Sequence, residues 1–216
     1  LPFATTADAV HAWVHGWALS RGASEPAVRS WGFTVDVGLA HEIARHVLPA
    51  ADEATVRKIA ENTHAPGVWL KTFVPPRTLE AWLPPGWALA GGRNFLMSTA
   101  LPAPGAAAPP LAEGYRLVRW ERGGVTKVSV RAADGAFAGR AQIAVTGRTA
   151  VVDQVETDPA HQRRGLGRAM LRVLTEAAAG EGVTAAVLGA TVEGRALYER
   201  EGWRVLAPLT AATRTA

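Results

Sequence analysis

The stretch Val151-Val-Asp-Gln-Val-Glu-Thr-Asp-Pro-Ala-His-Gln-Arg-Arg-Gly-Leu-Gly-Arg168 decides how this chain is read. A strand runs into Thr157 and Pro159 stops it. Gln162-Arg-Arg-Gly-Leu-Gly167 then opens a helix. Glycines at 165 and 167 let the backbone approach a ligand and leave amide N–H groups free. Those amides, with the positive end of the helix dipole, suit phosphate oxygens. Arg163, Arg164 and Arg168 add charge beside them. The bland alternative is a glycine-softened helix start with solvated arginines. Two familiar phosphate loops are excluded. Met170 stands where G-x-G-x-x-G needs its third glycine, and no G-K-[ST] follows.

Outward from this turn, the second half reads regularly. Strands are predicted over 115–121, 125–132, 136–146 and 150–157, with Asp134-Gly135 as a hairpin turn. A helix over 165–179, a strand over 184–189, a helix over 193–200 and a strand over 203–206 follow. Tyr198, one of two tyrosines, sits on that last helix. The strand-helix-strand logic returns it over the ends of the 150–157 and 184–189 strands. A phenol with a pKa of about 10 stays protonated at neutral pH and can donate a proton to a departing thiolate. A half-buried structural tyrosine is the alternative.

The clearest seam is Leu101-Pro-Ala-Pro-Gly-Ala-Ala-Ala-Pro-Pro-Leu111, through which no helix or central strand can run. It divides the chain into 1–101, a linker over 102–111, and 112–216. Before it, helices are predicted over 8–19, 52–62 and 77–83. Strands are predicted over 31–37, 43–48, 68–74 and 94–101, the last entered through a Gly91-Gly92 turn, and His41–Leu48 also admits a helix. A shared phrase links the halves: helix, Gly, strand, short helix, Gly-Trp. LEAWLPPGW and RALYEREGW align without a gap, which sets Trp82 at the position of Tyr198 and points to an old duplication.

Composition narrows the chemistry. The 216 residues carry 23 Lys and Arg against 19 Asp and Glu, a net charge of +4. That charge is modest and scattered, so a small anionic ligand suits it as well as a polyanion does. With no cysteine, disulfides, thiolate metal sites and a cysteine nucleophile are all excluded. His41 and His46 are one residue too far apart for H-E-x-x-H, and His11 with His15 lacks a third ligand, so no metal site is expected. No apolar run reaches the ~20 residues of a membrane span. The N-terminal run LPFATTADAVHAWVHGW lacks the basic-then-apolar layout of a secretion signal, which leads to a cytoplasmic expectation.

Gln162-Arg-Arg-Gly-Leu-Gly167 and Leu197-Tyr-Glu-Arg-Glu-Gly-Trp203, in this order and spacing, resemble the GNAT superfamily of acyl-CoA-dependent N-acyltransferases. The resemblance covers roughly residues 112–208. It implies an α/β fold with a mixed sheet, and the repeat extends this to two GNAT-like halves. It implies acetyl-CoA as co-substrate, with no metal, and direct transfer to an amine of a small molecule, peptide or protein. By the same resemblance, the loop Gln162, Arg163, Arg164, Gly165, Leu166, Gly167 and Arg168 binds the CoA pyrophosphate. The backbone of Val155, Glu156 and Thr157, splayed from its neighbour, pairs with the pantetheine arm. Tyr198 protonates the sulfur. Thr191 stands where the family often has Asn and can still donate a hydrogen bond to pantetheine.

For the general base, Glu156 is placed best and Asp153 second, acting directly or through water. Strict strand alternation puts the two on opposite faces. The family's helices after its first strand are missing here, so the N-terminal segment is expected to supply the acceptor wall. Its own turn, Pro49-Ala-Ala-Asp-Glu, is acidic and lacks a glycine pair, so it should bind no CoA. One rival is an inactive acyl-CoA-binding sensor. Another is a basic nucleic-acid-binding protein, which the modest charge disfavours. A homodimer is left open.

Overall fold

The computed structural model describes residues 2–101, 105 and 110–215, so most of the expected linker lies outside the described residues. The chain opens with helix α1 (Thr6–Arg21), which a capping box from Thr5 and Asp8 starts and Gly22, in the left-handed conformation, stops. Three strands follow, β1 (Ala27–Arg29), β2 (Gly32–Leu39) and β3 (Glu42–Leu48). Then come α2 (Glu53–Glu61), β4 (Val68–Thr72), α3 (Pro76–Trp82) and β5 (Trp87–Ala100). The second part runs β6 (Tyr115–Arg122), β7 (Val125–Ala132), β8 (Phe137–Thr146) and β9 (Thr149–Thr157). It ends with α4 (Leu166–Gly180), β10 (Ala185–Thr191), α5 (Val192–Arg200) and β11 (Arg204–Arg214).

All the strands join one mixed sheet of 11, in the order β1-β2-β3-β4-β11-β5-β10-β9-β8-β7-β6. This is the α/β mixed sheet that the sequence leads one to expect. The unit β3-α2-β4-α3-β5 has the same order and strand sense as β9-α4-β10-α5-β11. In each unit the first two strands are parallel. Each unit's last strand lies between the other unit's last two: β5 between β10 and β11, β11 between β4 and β5.

The strand expected over 43–48 is present as β3, and the helical alternative is ruled out, because Phe33 and Val68 flank it on neighbouring strands and Val47 and Leu48 are buried on opposite faces. Two sequence expectations are corrected. Gly91-Gly92 is not a turn before a strand. Both glycines have positive φ inside β5, where the register against β11 shifts between Leu209 and Ala211, so they form a bulge. The final strand runs to Arg214 instead of stopping at 206, because its far half pairs with β4.

Helices cover both faces. α4 lays Leu166, Met170, Leu171 and Leu174, all almost fully buried, on β7, β8 and β9. Each such side chain stabilises by about 1.5–3 kcal/mol. α1 crosses the opposite face of β8 and β9, with Trp13 and Trp17 buried against Val151, Val187 and Leu209. Gly16 is the closest approach: a Cβ there would lie 2.3 Å from the Val151 side chain. A helix from the N-terminal segment thus walls the sheet beside Val151 and the rest of β9. Among the described residues no helix is long and apolar enough to cross a membrane.

Candidate active site

The site begins where β9 and β10 part. They pair in parallel at Thr149–Ala185, Ala150–Ala186 and Val151–Val187, and no further. Beyond Val151 the two strands diverge. β9 also bulges: Gln142 of β8 faces Asp153, Arg140 faces Glu156, and Gln154 is the extra residue, with φ 52°. A non-glycine residue in that region costs on the order of 1–3 kcal/mol and persists only where its surroundings hold it.

The bulge overturns the strict alternation. Asp153 and Glu156 point to the same face, the α1 side, while Val155 packs toward the α4 core. The two carboxylates nonetheless differ in freedom. Arg21 holds Asp153 through its Nε (2.5 Å) and Nη2 (2.9 Å), and Ser20 Oγ donates to it at 2.9 Å. Gln142 Nε2 in turn donates to the Ser20 carbonyl and hydroxyl, both at 2.7 Å. The Asp153 side chain is only 14% exposed. Glu156 is half exposed and meets Arg140 alone, at 2.8 Å.

After β9 a short 3-10 turn, Pro159–His161, leads into the glycine loop. Arg163 turns the chain with φ 61° and Gly165 with φ 76°. Gly165 is the N-cap of α4 and brings no side chain to it. The first amides of α4, at Leu166, Gly167 and Arg168, therefore keep their donors, as an uncapped first turn does. Gly167 permits close packing: a Cβ there would sit 3.1 Å from Leu197 of α5. Leu166 itself is core, so only its backbone can serve a ligand.

An open groove runs from this loop between β9 and α5. Val155, Glu156, Thr157, Gln162, Arg163, Gly165, Leu166, Gly167, Arg168, Thr191 and Tyr198 all line it. Arg164 does not; its guanidinium lies 6.0 Å from the Tyr115 ring centre instead. His161, beside the loop, is engaged as well, with its Nδ1 2.9 Å from the Tyr115 hydroxyl. Thr191 caps α5, its Oγ1 accepting from the Gly194 amide at 3.1 Å, which leaves its own proton to donate.

Tyr198 is 7% exposed and its ring lies 5.9 Å from that of Trp203. Gly194, one turn earlier, makes room: a Cβ there would be 3.3 Å from the tyrosine ring. Burial, and then the Asp153 carboxylate, push the phenol well above its ordinary pKa. The hydroxyl therefore stays protonated through neutral and mildly alkaline pH.

Sequence reasoning missed Glu201. Its side chain, 4% exposed, takes Arg168 Nε at 2.7 Å and Arg172 Nε at 2.6 Å. Arg168 thus stands at the groove with its charge already compensated. The signal was present: an acidic residue at the C-terminal end of α5 opposes the helix dipole and calls for a cation. Arg168 and Arg172, one turn apart on α4, supply it. Among the described residues no group of three or more acidic or histidine side chains is placed to hold a metal.

Comparison with known proteins bears on the same segment. Residues 97–203 match the model of the acetyltransferase (GNAT) family. The fold is similar to a GCN5-related N-acetyltransferase from Kribbella flavida, with TM-score 0.63 and 17% identity over 96% of this chain and 95% of that one. It is similar to a GNAT-family protein from Novosphingobium aromaticivorans, with TM-score 0.58 and 18% identity over 95% and 99%. A tandem GNAT protein from the clavulanic acid biosynthesis pathway gives 0.53 and 15% over 67% and 63%. At these identities the likenesses show the fold alone. No curated protein sequence matches the chain. The family match falls on the segment that builds the groove, and on that ground the chain belongs to the GNAT superfamily of acyl-CoA-dependent acyltransferases.

Proposed function

We propose that the chain transfers an acetyl group from acetyl-CoA directly to an amine. The observation that carries this reading is the parting of β9 from β10 after Val151, next to a helix capped by a bare glycine. The free amides of the Gly165 loop bind the pyrophosphate, assisted by the dipole of α4. The unpaired backbone of Val155, Glu156 and Thr157 receives the pantetheine arm. Thr191 donates to it from the other wall.

The chemistry then follows the geometry. The acceptor ammonium loses a proton to Glu156, directly or through water, and its nitrogen attacks the thioester carbon. The C–S bond breaks and Tyr198 gives its proton to the sulfur, so the thiol leaves neutral, while the new amide nitrogen sheds its remaining extra proton through water to the Tyr198 phenolate and restores the phenol. Asp153 is the weaker base candidate because Arg21 and Ser20 already hold its oxygens. It orders α1 instead.

We further read the chain as two GNAT-like halves, 1–101 and 112–216, of which only the second binds CoA. Two contrasts favour this. β3 and β4 stay paired over five residues, from Ala44–Val68 to Leu48–Thr72, and leave no opening. The N-cap of α2 is Asp52, whose carboxylate accepts from the Thr55 amide at 2.9 Å. That cap fills its own anion site with a negative charge.

The test is thiol release from acetyl-CoA across a panel of primary amines, with calorimetry of CoA binding alongside. Turnover with CoA binding supports the reading. CoA binding with no turnover on any amine favours an inactive acyl-CoA sensor, and no heat from CoA overturns the site.

A further inference from the structure

The pairing registers align side chains in rows across β6, β7, β8 and β9. Trp120, Lys127, Gln142 and Asp153 form one row, and Val118, Ser129, Arg140 and Glu156 the next. A third contains Arg116, Arg131 and Phe137. All three face the α1 side. α1 ends over the first row, where Gln142 bonds to Ser20, and the other two rows extend beyond it. Val118, Trp120 and Phe137 are 39%, 45% and 42% exposed. Arg116 and Arg131 are exposed and Lys127 half-buried, and none of these three joins an ion pair among the described residues. Val118 and Trp120, side by side on one face of β6 with unpaired cations beside them and Phe137 beyond, mark an interaction surface on an open sheet face.

We propose that this face of β6, β7 and β8 docks an acidic polypeptide with apolar side chains and guides its amine toward Glu156. The amine's destination rests on the acyltransfer reading above. The cations fix the sign of the partner's charge, and Trp120 and Val118 fix its need for apolar side chains. Aromatics among cations also suit a single-stranded nucleic acid. Two features favour a polypeptide. Val118 offers no ring for a base to stack on. β6 is also the outer strand of the sheet, so its free N–H and C=O groups match the repeat of an added peptide strand. The site is continuous with the groove because Glu156 ends one row and lines that groove.

The experiment uses the full chain and a labelled random copolymer of glutamate and tyrosine, read by fluorescence anisotropy. The copolymer should bind, and binding should weaken as salt rises. The double variant Arg116→Glu, Arg131→Glu and the separate variant Trp120→Ser should each weaken it at least tenfold. CoA heats on the same preparations should be unchanged, which separates docking from the coenzyme groove and from misfolding. No binding by the unsubstituted chain, equal binding by the variants, or tighter Arg116- and Arg131-dependent binding of oligouridine overturns the proposal. Copolymer binding that these variants weaken, in a chain that gives no heat with CoA, upholds the docking surface and removes the transferase reading instead.

Discussion

Arg21, in the last turn of α1, grips the Asp153 carboxylate with two guanidinium nitrogens across 132 positions of sequence. The contact falls one residue before the bulge of β9. It fastens the first helix of the chain to the strand that lines the groove. Arg21 also lies 5.9 Å from the Trp17 ring, and Arg45 stacks on that ring's centre at 3.5 Å. The polar clamp and the aromatic wall are therefore one assembly.

Truncating the clamp should loosen that assembly. Arg21→Ala leaves Asp153 with Ser20 alone in a site that is 14% exposed. A loss of about 1–3 kcal/mol is expected. It should appear as a lower midpoint in urea unfolding with an unchanged slope. On the proposed reading, in which the acceptor approaches from the α1 side of β9, KM for the acceptor should rise more than Kd for CoA.

Tyr198→Phe should keep CoA binding and fold while kcat falls by about 10²–10⁴-fold, the usual range for a positioned acid. Its pKa, raised by burial, adds a stability signature. Below about pH 10 both folded and unfolded chains keep the phenol proton. Above it the unfolded chain ionises and the folded chain resists, so stability falls as pH rises. Denaturation midpoints at pH 9 and pH 11 should show a steeper alkaline loss in the unsubstituted chain than in Tyr198→Phe.

Gly165→Asp would place at the cap of α4 the residue type that stands at the cap of α2. Asp tolerates a left-handed backbone better than most residues, so the melting temperature should fall only a few degrees. A carboxylate over the phosphate site should weaken CoA at least about tenfold, or 1.4 kcal/mol. Calorimetry with CoA and with its dephosphorylated pantetheine portion separates this from misfolding, since the second ligand should lose less.

Lys71 tests the other end of the α1 side. Its ammonium sits 4.5 Å from the Trp69 ring centre, and desolvation, followed by repulsion from Arg45, brings its pKa down to about 7. From about pH 7 up to 10.5, its ordinary value, the unfolded chain holds a proton that the folded chain has released. Stability therefore rises with pH through that window. Lys71→Met should be more stable than the parent at pH 6.5, by about 1–4 kcal/mol. The gap should narrow by pH 9.5, and urea titrations at the two values measure it.

Much of the groove could be read from residues alone because its parts are local. The glycine cap, the loop arginines and the tyrosine before Glu-Gly-Trp depend on backbone freedom and helix geometry within a few positions. Glu201 escaped notice because its two arginines lie on another helix. The shared face of Asp153 and Glu156 escaped because a bulge is a property of two strands: nothing in Val-Asp-Gln-Val-Glu marks Gln154 as surplus until Gln142 and Arg140 are aligned against it.

From the amino-acid order alone follow most of the elements around the site and a resemblance, carried by the loop and the tyrosine, to acyl-CoA chemistry. How the two parts join is visible only in the folded chain: β5 and β11 each lie between the other unit's last two strands, making one continuous sheet. Hydrogen bonding between strands is blind to sequence separation. Alternation tells a strand which side is buried, but its neighbour is chosen by whichever backbone edge, near or far along the chain, completes its bonds and covers its apolar face.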